Sequence, residues 1–238
     1  MRAIILAAGS GTRLSPLTSN CPKCLVPAGS RVLLDYQIGA LRRVGVEDIV
    51  LVIGYEAGQI RRHCGAAARY IENPEYLTTN SIYSFFLARQ ELDTDLFLFN
   101  CDILFHPDVL KRMLDSEYSN VVAVDSQVAR SADEMNVQFS SDGCVKAISK
   151  ELDPAIAQAQ SVQLVKLDAA GARLVAEEVE NLIAQEKKGA FPTASYAPLI
   201  RANRFYSVEA GDLPWAEIDS MEDYVQAIKH VVPQLEQV

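Results

Sequence analysis

Short apolar runs alternate with helical patterns through the first half of the chain. The runs at 3–6, 48–54 and 95–100 are almost continuously apolar, as is typical of strands buried on both faces of a parallel sheet. Between the first two runs, apolar residues recur at helical spacing over 33–41. In chain order, the predicted strands are 3–6, 48–54, 68–72 and 95–100, and the predicted helices are 33–41, 57–63 and 81–91. Strands that alternate with helices predict a mostly parallel sheet with helices on both faces.

The second half of the chain has a more mixed pattern. A turn at 141–143 separates two short strand-like stretches within 137–148, and a helix predicted over 169–188 carries one apolar stripe. The remaining predicted strands are 121–124, 163–167, 207–209 and 215–219, and the last predicted helix is 221–231. We find no repeat and no linker rich in Pro or Gly. The predicted fold class is therefore α/β, with one Rossmann-like three-layer domain over 1–238, a mostly parallel central sheet and a small additional portion of strands and helices.

Composition narrows the classes of function. The chain has 238 residues, of which 49% are hydrophobic and 22% charged, values typical of a soluble globular protein. Its net charge of -9 argues against a general nucleic-acid binder, which would neutralise phosphates with a basic surface. The apolar run at 3–8 is too short for a signal-peptide core or a membrane span. Five scattered cysteines are typical of reduced thiols, so we expect a cytoplasmic protein with no membrane partner.

A glycine-containing turn follows the first strand. Gly9 and Gly11 allow the backbone to approach a phosphate closely, and Arg13 and Lys23 can supply positive charge. Leu14 stands where a dinucleotide-binding fingerprint requires Gly or Ala, and no Gly-Lys-Ser/Thr sequence follows, so neither that fingerprint nor a P-loop is present. The segment thus predicts an anion-binding turn at the sheet edge where α/β proteins bind ligands, with a tight turn flanked by solvated basic residues as the alternative.

Two carboxylates follow predicted strands farther along the chain. Asp102 stands just after the strand at 95–100, at the same edge of the sheet as the glycine turn, and Asp219 precedes the last helix. Carboxylates beside bound phosphates are the usual ligands of Mg2+ in proteins. If the fold brings the two together, the sequence predicts a magnesium site, whereas separately each is an ordinary turn or helix-start residue.

The motif from Met1 to Thr18, together with Pro22-Lys23 and Leu25-Val26, resembles the signature of the sugar-phosphate nucleotidyltransferase superfamily. Within it, the segments 73–76, 80–85 and 217–219 are similar to the branch of phosphocholine-type and phosphonate-type cytidylyltransferases. The resemblance implies an enzyme that joins a nucleotide from CTP to a small phosphate or phosphonate. It also implies that residues 1–130 mainly bind the nucleotide, and that residues 131–238 mainly bind the acceptor and supply the closing helix.

The resemblance implies roles for individual residues. Lys23 and Arg13 would be catalytic, with Arg13 on the β- and γ-phosphates and Lys23 beside the α-phosphate and the attacking phosphate. Asp102 and Asp219 would hold Mg2+. The nucleotide would contact Leu6, Ala7, Ala8, Gly9, Gly11, Arg13, Asn80, Ser81 and Cys101, and the acceptor would contact Lys150, Tyr196 and Trp215.

This chain departs from the family pattern on the acceptor side. Relatives that use sugar phosphates often carry a Gly-Glu pair and a later Gly, where this chain has Ala159-Gln160 and Gln163. Arg201 and Arg204 would repel a cationic acceptor if they faced the site. Two alternatives therefore stay open, a sugar-1-phosphate nucleotidyltransferase using UTP, dTTP or GTP, and a catalytically silent nucleotide-sensing or scaffold subunit. The sequence fixes neither the acceptor nor the oligomeric state, so a homo-oligomer also stays open.

Overall fold

The computed structural model describes all of residues 1–238 and contains thirteen strands and eight α-helices. The strands are β1 (Arg2–Ala7), β2 (Pro27–Ala28), β3 (Arg31–Val32), β4 (Asp48–Ile53), β5 (Arg69–Glu72), β6 (Leu96–Asn100), β7 (Ile103–Phe105), β8 (Val121–Asp125), β9 (Asn136–Phe139), β10 (Val145–Ser149), β11 (Ala159–Leu167), β12 (Tyr206–Glu209) and β13 (Trp215–Glu217). The helices are α1 (Leu33–Arg43), α2 (Ala57–Cys64), α3 (Ser81–Leu87), α4 (Asp108–Asp115), α5 (Ala169–Ala184), α6 (Ala197–Arg201), α7 (Met221–His230) and α8 (Val232–Leu235).

Nine strands form one sheet in the order β10-β9-β11-β6-β1-β4-β5, with β8 paired to β11 and β12 paired to β8. The strands β6, β1, β4 and β5 are parallel, as the alternating pattern predicts, whereas β11 runs antiparallel to β6, β8 and β9. The predicted α/β class with a mostly parallel central sheet is confirmed. Strands from both halves of the sequence belong to this sheet, since β11 lies directly beside β6.

The alternation of side chains along β1 explains the three layers. Ala3, Ile5 and Ala7 belong to a core cluster with residues of α1, α2 and α4, and Ile4 and Leu6 belong to a cluster with residues of α3, α5 and α6 on the other face. Because successive side chains of a strand point to opposite faces, a strand buried on both sides must be apolar throughout. None of the helices combines the length and the apolar character needed to cross a bilayer.

A third core cluster connects the two ends of the chain. Leu14 and Val26, which flank the predicted anion-binding segment, pack in one cluster with Ile218 and with Ala227 of α7. These residues are all nearly inaccessible to solvent. The hydrophobic contact therefore brings the segment around Lys23 against the segment that carries Asp219, nearly two hundred residues away.

Several boundaries differ from the predicted ones. The sequence pattern does not predict the helices α4, α6 and α8 or the strands β2, β3 and β7. Strand β11 begins at Ala159 rather than at 163, and its first part escapes prediction because buried Ser161 interrupts the apolar pattern. Helix α5 ends at Ala184 and not at 188, since Glu186 adopts a left-handed backbone (φ 62°). The strand predicted at 215–219 pairs with β7 in a separate two-stranded sheet.

Candidate active site

The glycine turn and Asp102 meet because their strands are neighbours. Strands β1 and β6 are parallel with Leu6 opposite Asn100, and the Cys101 N–H donates to the Leu6 carbonyl over 3.1 Å. The turn after β1 and the segment after β6 therefore emerge side by side at the carboxyl edge of the sheet. This is the edge at which open α/β sheets bind ligands.

A cleft of about 320 Å³ opens at this edge. Of the residues expected in the site, those that line it are Leu6, Ala8, Gly9, Gly11, Arg13, Lys23, Asn80, Ser81, Cys101, Asp102, Lys150 and Asp219. The expected residues outside the lining are Ala7, Tyr196 and Trp215. The fold thus brings most of the residues expected around the nucleotide into one cleft, together with Lys150 of the expected acceptor residues.

Two glycines shape the wall of the cleft for different reasons. Gly11 has a left-handed backbone (φ 63°), and a Cβ there would lie 3.0 Å from Cβ of Lys23. A Cβ at Gly9 would meet nothing within 4 Å, so the backbone at Gly9 faces open space. Gly11 is needed for the turn and for close packing on Lys23, whereas Gly9 leaves room for a ligand beside the chain.

Lys23 joins the two predicted metal ligands. Its Nζ lies 2.7 Å from Oδ2 of Asp102 and 2.6 Å from Oδ1 of Asp219, and only 10% of the lysine side chain is exposed. Burial alone would lower the pKa of Lys23, but the charges of Asp102 and Asp219 outweigh it and raise that pKa above its usual value. Burial likewise acts to raise the pKa of Asp219, and Lys23 more than offsets it, so the pKa of Asp219 is lowered. Lys23 and Asp219 are therefore charged at neutral pH.

Asp219 is fixed by the start of α7. The Ser220 hydroxyl accepts from the Asp223 N–H, and the Asp223 carboxylate accepts from the backbone N–H groups of Ser220 and Asp219, which forms a capping box. The Ile218 N–H donates to the Asp102 carbonyl over 3.0 Å. Arg13 donates to the second oxygen of Asp219 over 2.9 Å, although 70% of the arginine side chain is exposed.

Glu217 is a third carboxylate that the sequence reasoning did not assign to the site. It lines the cleft, and burial, followed by the charges of Asp102 and Asp219, raises its pKa to about 7. The signal was present in the sequence, because residues two apart in an extended segment lie on the same face and Glu217 is two residues before Asp219. Gln163 of β11 donates its side-chain N–H to Glu217 over 2.5 Å.

The three carboxylates fit a divalent cation. Asp102, Glu217 and Asp219 each offer an oxygen, and these atoms lie within 4.8 Å of one another. The Oδ1 atom of Asp102 is buried and has no hydrogen-bond partner, which is costly unless another group satisfies it. Oxygen-only ligands are the preferred donors for Mg2+. These residues would therefore accommodate Mg2+.

Asn80 and Ser81 line the cleft from the start of α3. Asn80 is the N-cap of α3, where its side-chain oxygen accepts from the Ser81 N–H over 2.7 Å. The Asn80 amide donates to the Gly189 carbonyl, which connects this wall to the loop after α5. Both polar side chains thus face the cleft from a fixed helix start.

The acceptor residues surround the cleft rather than line a single wall. The Nζ of Lys150 lies in the cleft, 5.5 Å from the centre of the Phe191 ring. Tyr196 is buried and forms part of a small apolar pocket that also contains Phe191. Trp215 lines a second, wider cavity of about 700 Å³, which shares Lys150 with the cleft. Arg201 and Arg204 line neither the cleft nor the wider cavity, so the condition for their repelling a cationic acceptor, that they face the site, is not met.

The architecture is that of the nucleotidyltransferase class. The solved CTP:phosphocholine cytidylyltransferase of Streptococcus pneumoniae superposes with a TM-score of 0.79 at 25% identity, covering 96% of this chain and 97% of that one. Residues 3–190 match the MobA-like NTP transferase domain, and the chain belongs to that family.

Two curated relatives are similar over about half of the chain. The CMP-5'-(3-aminopropyl)phosphonate synthase of Streptomyces rubellomurinus is 39% identical over 128 residues, which is 52% of this chain and 20% of the relative. The choline-phosphate cytidylyltransferase of Streptococcus pneumoniae is 38% identical over 127 residues, or 50% of this chain and 54% of the relative. The matched part of the chain therefore spans at most about half of the length of these relatives.

Proposed function

We propose that the chain is a Mg2+-dependent nucleotidyltransferase that joins CMP from CTP to a small phosphate or phosphonate and releases pyrophosphate. One observation carries this proposal, namely the convergence of Lys23, Asp102 and Asp219 beside the open glycine turn in a single cleft. Membership of an NTP transferase family supports the reaction type. The names of the cytidylyltransferases among the relatives support CTP as the donor.

The charges in the cleft suit a displacement between two anions. An oxygen of the acceptor attacks the α-phosphorus, and the bond from that phosphorus to the pyrophosphate oxygen breaks as the new bond forms. The attacking oxygen is already ionised at neutral pH, so no general base is required. The task of the protein is to align the reactants and offset their repulsion.

Each charged residue has a place in that task. Lys23 is buried beside Asp102 and can offset charge on the phosphate under attack, and exposed Arg13 can reach the outer phosphates of the nucleotide. Asp102, Glu217 and Asp219 would hold Mg2+, which when bound neutralises phosphate charge and polarises the phosphoryl oxygens. Asn80 and Ser81 would contact the base and ribose from the start of α3.

The wider cavity supports an acceptor that carries an ammonium group. Trp215 is the aromatic residue in its wall, and the indole N–H donates to the buried Asp125 carboxylate over 2.7 Å, which fixes the ring. Asp133 and Glu134 add negative charge to the same wall. An aromatic face beside carboxylates is a favourable environment for an ammonium ion. The phosphate or phosphonate end would face Lys150, where the cavity joins the cleft.

The test is a pyrophosphate-release assay that crosses CTP, UTP, dTTP and GTP with phosphocholine, aminoalkylphosphonates, glycerol phosphate and hexose 1-phosphates. We expect release with CTP and an amine-bearing acceptor, and a loss of about a hundredfold or more for Asp102→Asn. Asp115→Asn is the matched control, because Asp115 is an exposed carboxylate at the end of α4. Release only with hexose 1-phosphates would favour the sugar-nucleotide alternative, and no release under any pairing would favour the silent subunit.

The cytoplasm is the proposed compartment. All five cysteines are free thiols in the structure, although Cys24, Cys64 and Cys101 share one core cluster. Free thiols are typical of proteins in a reducing environment.

A further inference from the structure

The geometry points to Gln163 as a positioning residue, whose carboxamide holds the Glu217 carboxylate in place so that Asp102, Glu217 and Asp219 together can bind a divalent cation. This inference rests on the proposed function, since it assigns a role toward the metal that the proposed reaction uses. Gln163 lines the cleft and belongs to β11, whereas Glu217 ends β13, a strand of a different sheet.

Gln163 has a backbone conformation that residues other than glycine rarely adopt. Its φ is 61°, in the middle of a strand, and the pairing of β11 with β8 changes register between Ser161 and Val165. The Ser161 hydroxyl accepts the Gln163 N–H over 2.9 Å, which stabilises the irregular backbone locally. A left-handed conformation at a residue with a Cβ is unfavourable and persists only where surrounding interactions fix it.

The side chain of Gln163 supplies such interactions on both of its polar atoms. The Oε1 atom accepts from the Asn100 side-chain N–H over 3.1 Å, and the Nε2 atom donates to Oε2 of Glu217. Because the oxygen is occupied by a donor, the nitrogen is the atom that faces Glu217. The amide therefore donates a hydrogen bond to one carboxylate oxygen of Glu217 and fixes the orientation of that carboxylate.

Asn100 is itself anchored, so the contact extends into the core. Asn100 is the last residue of β6, and its carbonyl accepts from the buried side chain of Gln37 in α1 over 2.9 Å. Gln37 also donates to the carbonyl of Ile103 over 2.8 Å, so one side chain braces both ends of the segment that contains Asp102. The chain of hydrogen bonds thus connects Glu217 through Gln163 to the backbone on either side of Asp102.

Glu217 depends on this contact more than the other two carboxylates do. Lys23 pairs with Asp102 and Asp219, whereas no lysine or arginine lies within ion-pair distance of Glu217. Gln163 is the hydrogen-bond partner of its side chain. Groups that hold a metal ligand in orientation commonly change metal affinity by about ten- to a hundredfold when removed.

The experiment measures Mn2+ binding by electron paramagnetic resonance on the full chain, without nucleotide, together with thermal unfolding in EDTA. Gln163→Gly removes the amide and suits the left-handed backbone, so we expect the metal-free unfolding temperature to stay close to the wild-type value while Mn2+ affinity falls by about tenfold. The matched control is Gln158→Gly, which removes an exposed glutamine of the same region whose amide bonds only backbone groups. We expect it to leave Mn2+ affinity unchanged.

A double-mutant cycle tests whether Gln163 acts through Glu217. In a Glu217→Gln background, Gln163→Gly should cause no further loss of Mn2+ affinity. The role of Gln163 would be overturned if Gln163→Gly bound Mn2+ with wild-type affinity. It would also be overturned if Gln163→Gly reduced Mn2+ affinity equally in the wild-type and the Glu217→Gln backgrounds. Either result would stand even if the wild-type protein releases pyrophosphate with Mg2+. A wild-type protein that binds no Mn2+ would overturn the metal site itself and this inference with it.

Discussion

Replacing Lys23 by methionine removes a buried charge while keeping most of the side-chain volume. The lysine is the only buried cation beside Asp102 and Asp219, since Arg13 is largely exposed. From the motif alone, the loss of such a residue would reduce turnover and leave the thermal transition nearly unchanged. The structure changes that expectation, because the variant must leave Asp102 without an ion-pair partner or protonate a carboxylate of the cluster, while Asp219 keeps only the exposed Arg13.

Protonation of one carboxylate sets the upper limit of the loss in stability. A carboxyl group with the reference pKa of 3.8 costs about 4 kcal/mol to protonate at pH 7, at about 1.4 kcal/mol per pH unit. This agrees with the loss of roughly 3–5 kcal/mol in stability that is typical when one partner of a buried ion pair is removed. We therefore expect Lys23→Met to lose up to about 4 kcal/mol of unfolding free energy at pH 7 in EDTA. The loss should shrink toward pH 4, where protonation becomes inexpensive, and Mg2+ should restore part of it.

Urea unfolding at pH 7 and pH 4.5, with EDTA or Mg2+, measures these quantities. The control is Lys188→Met, which breaks the half-exposed pair between Lys188 and Glu75 and should cost less than about 1 kcal/mol. The reasoning would be refuted if Lys23→Met and Lys188→Met lowered the urea midpoint equally, or if the loss in Lys23→Met were independent of pH. Pyrophosphate release by Lys23→Met should fall by about a hundredfold or more, whatever the result of the unfolding experiment.

Three further outcomes are expected. The folded-state pKa of Glu217 is raised to about 7, so the metal-free protein should lose stability as the pH rises from about 4.5 to 7. The loss should amount to up to about 3 kcal/mol of unfolding free energy. Urea titrations of Glu217→Gln should not show this decline. Trp215→Phe removes the indole donor to Asp125 and should raise the KM of an amine-bearing acceptor by about tenfold with little change in the KM of CTP, whereas equal changes in both would contradict the assignment of the wider cavity. Ser220→Ala removes the cap of α7 and should cost about 1 kcal/mol in thermal unfolding, and no loss would mean that the capping box contributes nothing to fixing Asp219.

The acceptor side shows where prediction from the sequence stopped. Of the aromatic residues expected to contact the acceptor, Tyr196 is buried beside Phe205, whereas Trp215 lines the neighbouring cavity that we propose for the acceptor. Three of the carboxylates that line that cavity, Asp125, Asp133 and Glu134, come from a segment that no motif connects to Trp215. Aromatic residues carry no periodic signal that separates a core position from a binding position, so only their packing distinguishes the two.

The sequence by itself determined the alternation of strands and helices and the place of Gly9, Gly11, Lys23 and Asp102. These follow from local rules, because a strand buried on both faces must be apolar and ligand-binding residues follow its carboxyl end. Only the tertiary structure decided that Asp219 and Glu217 reach the same cleft, since the packing of Leu14 and Val26 against Ile218 joins segments nearly two hundred residues apart. It also decided the role of Gln163, whose left-handed backbone is unfavourable locally and is held by contacts to Asn100 and Glu217 that no local pattern encodes.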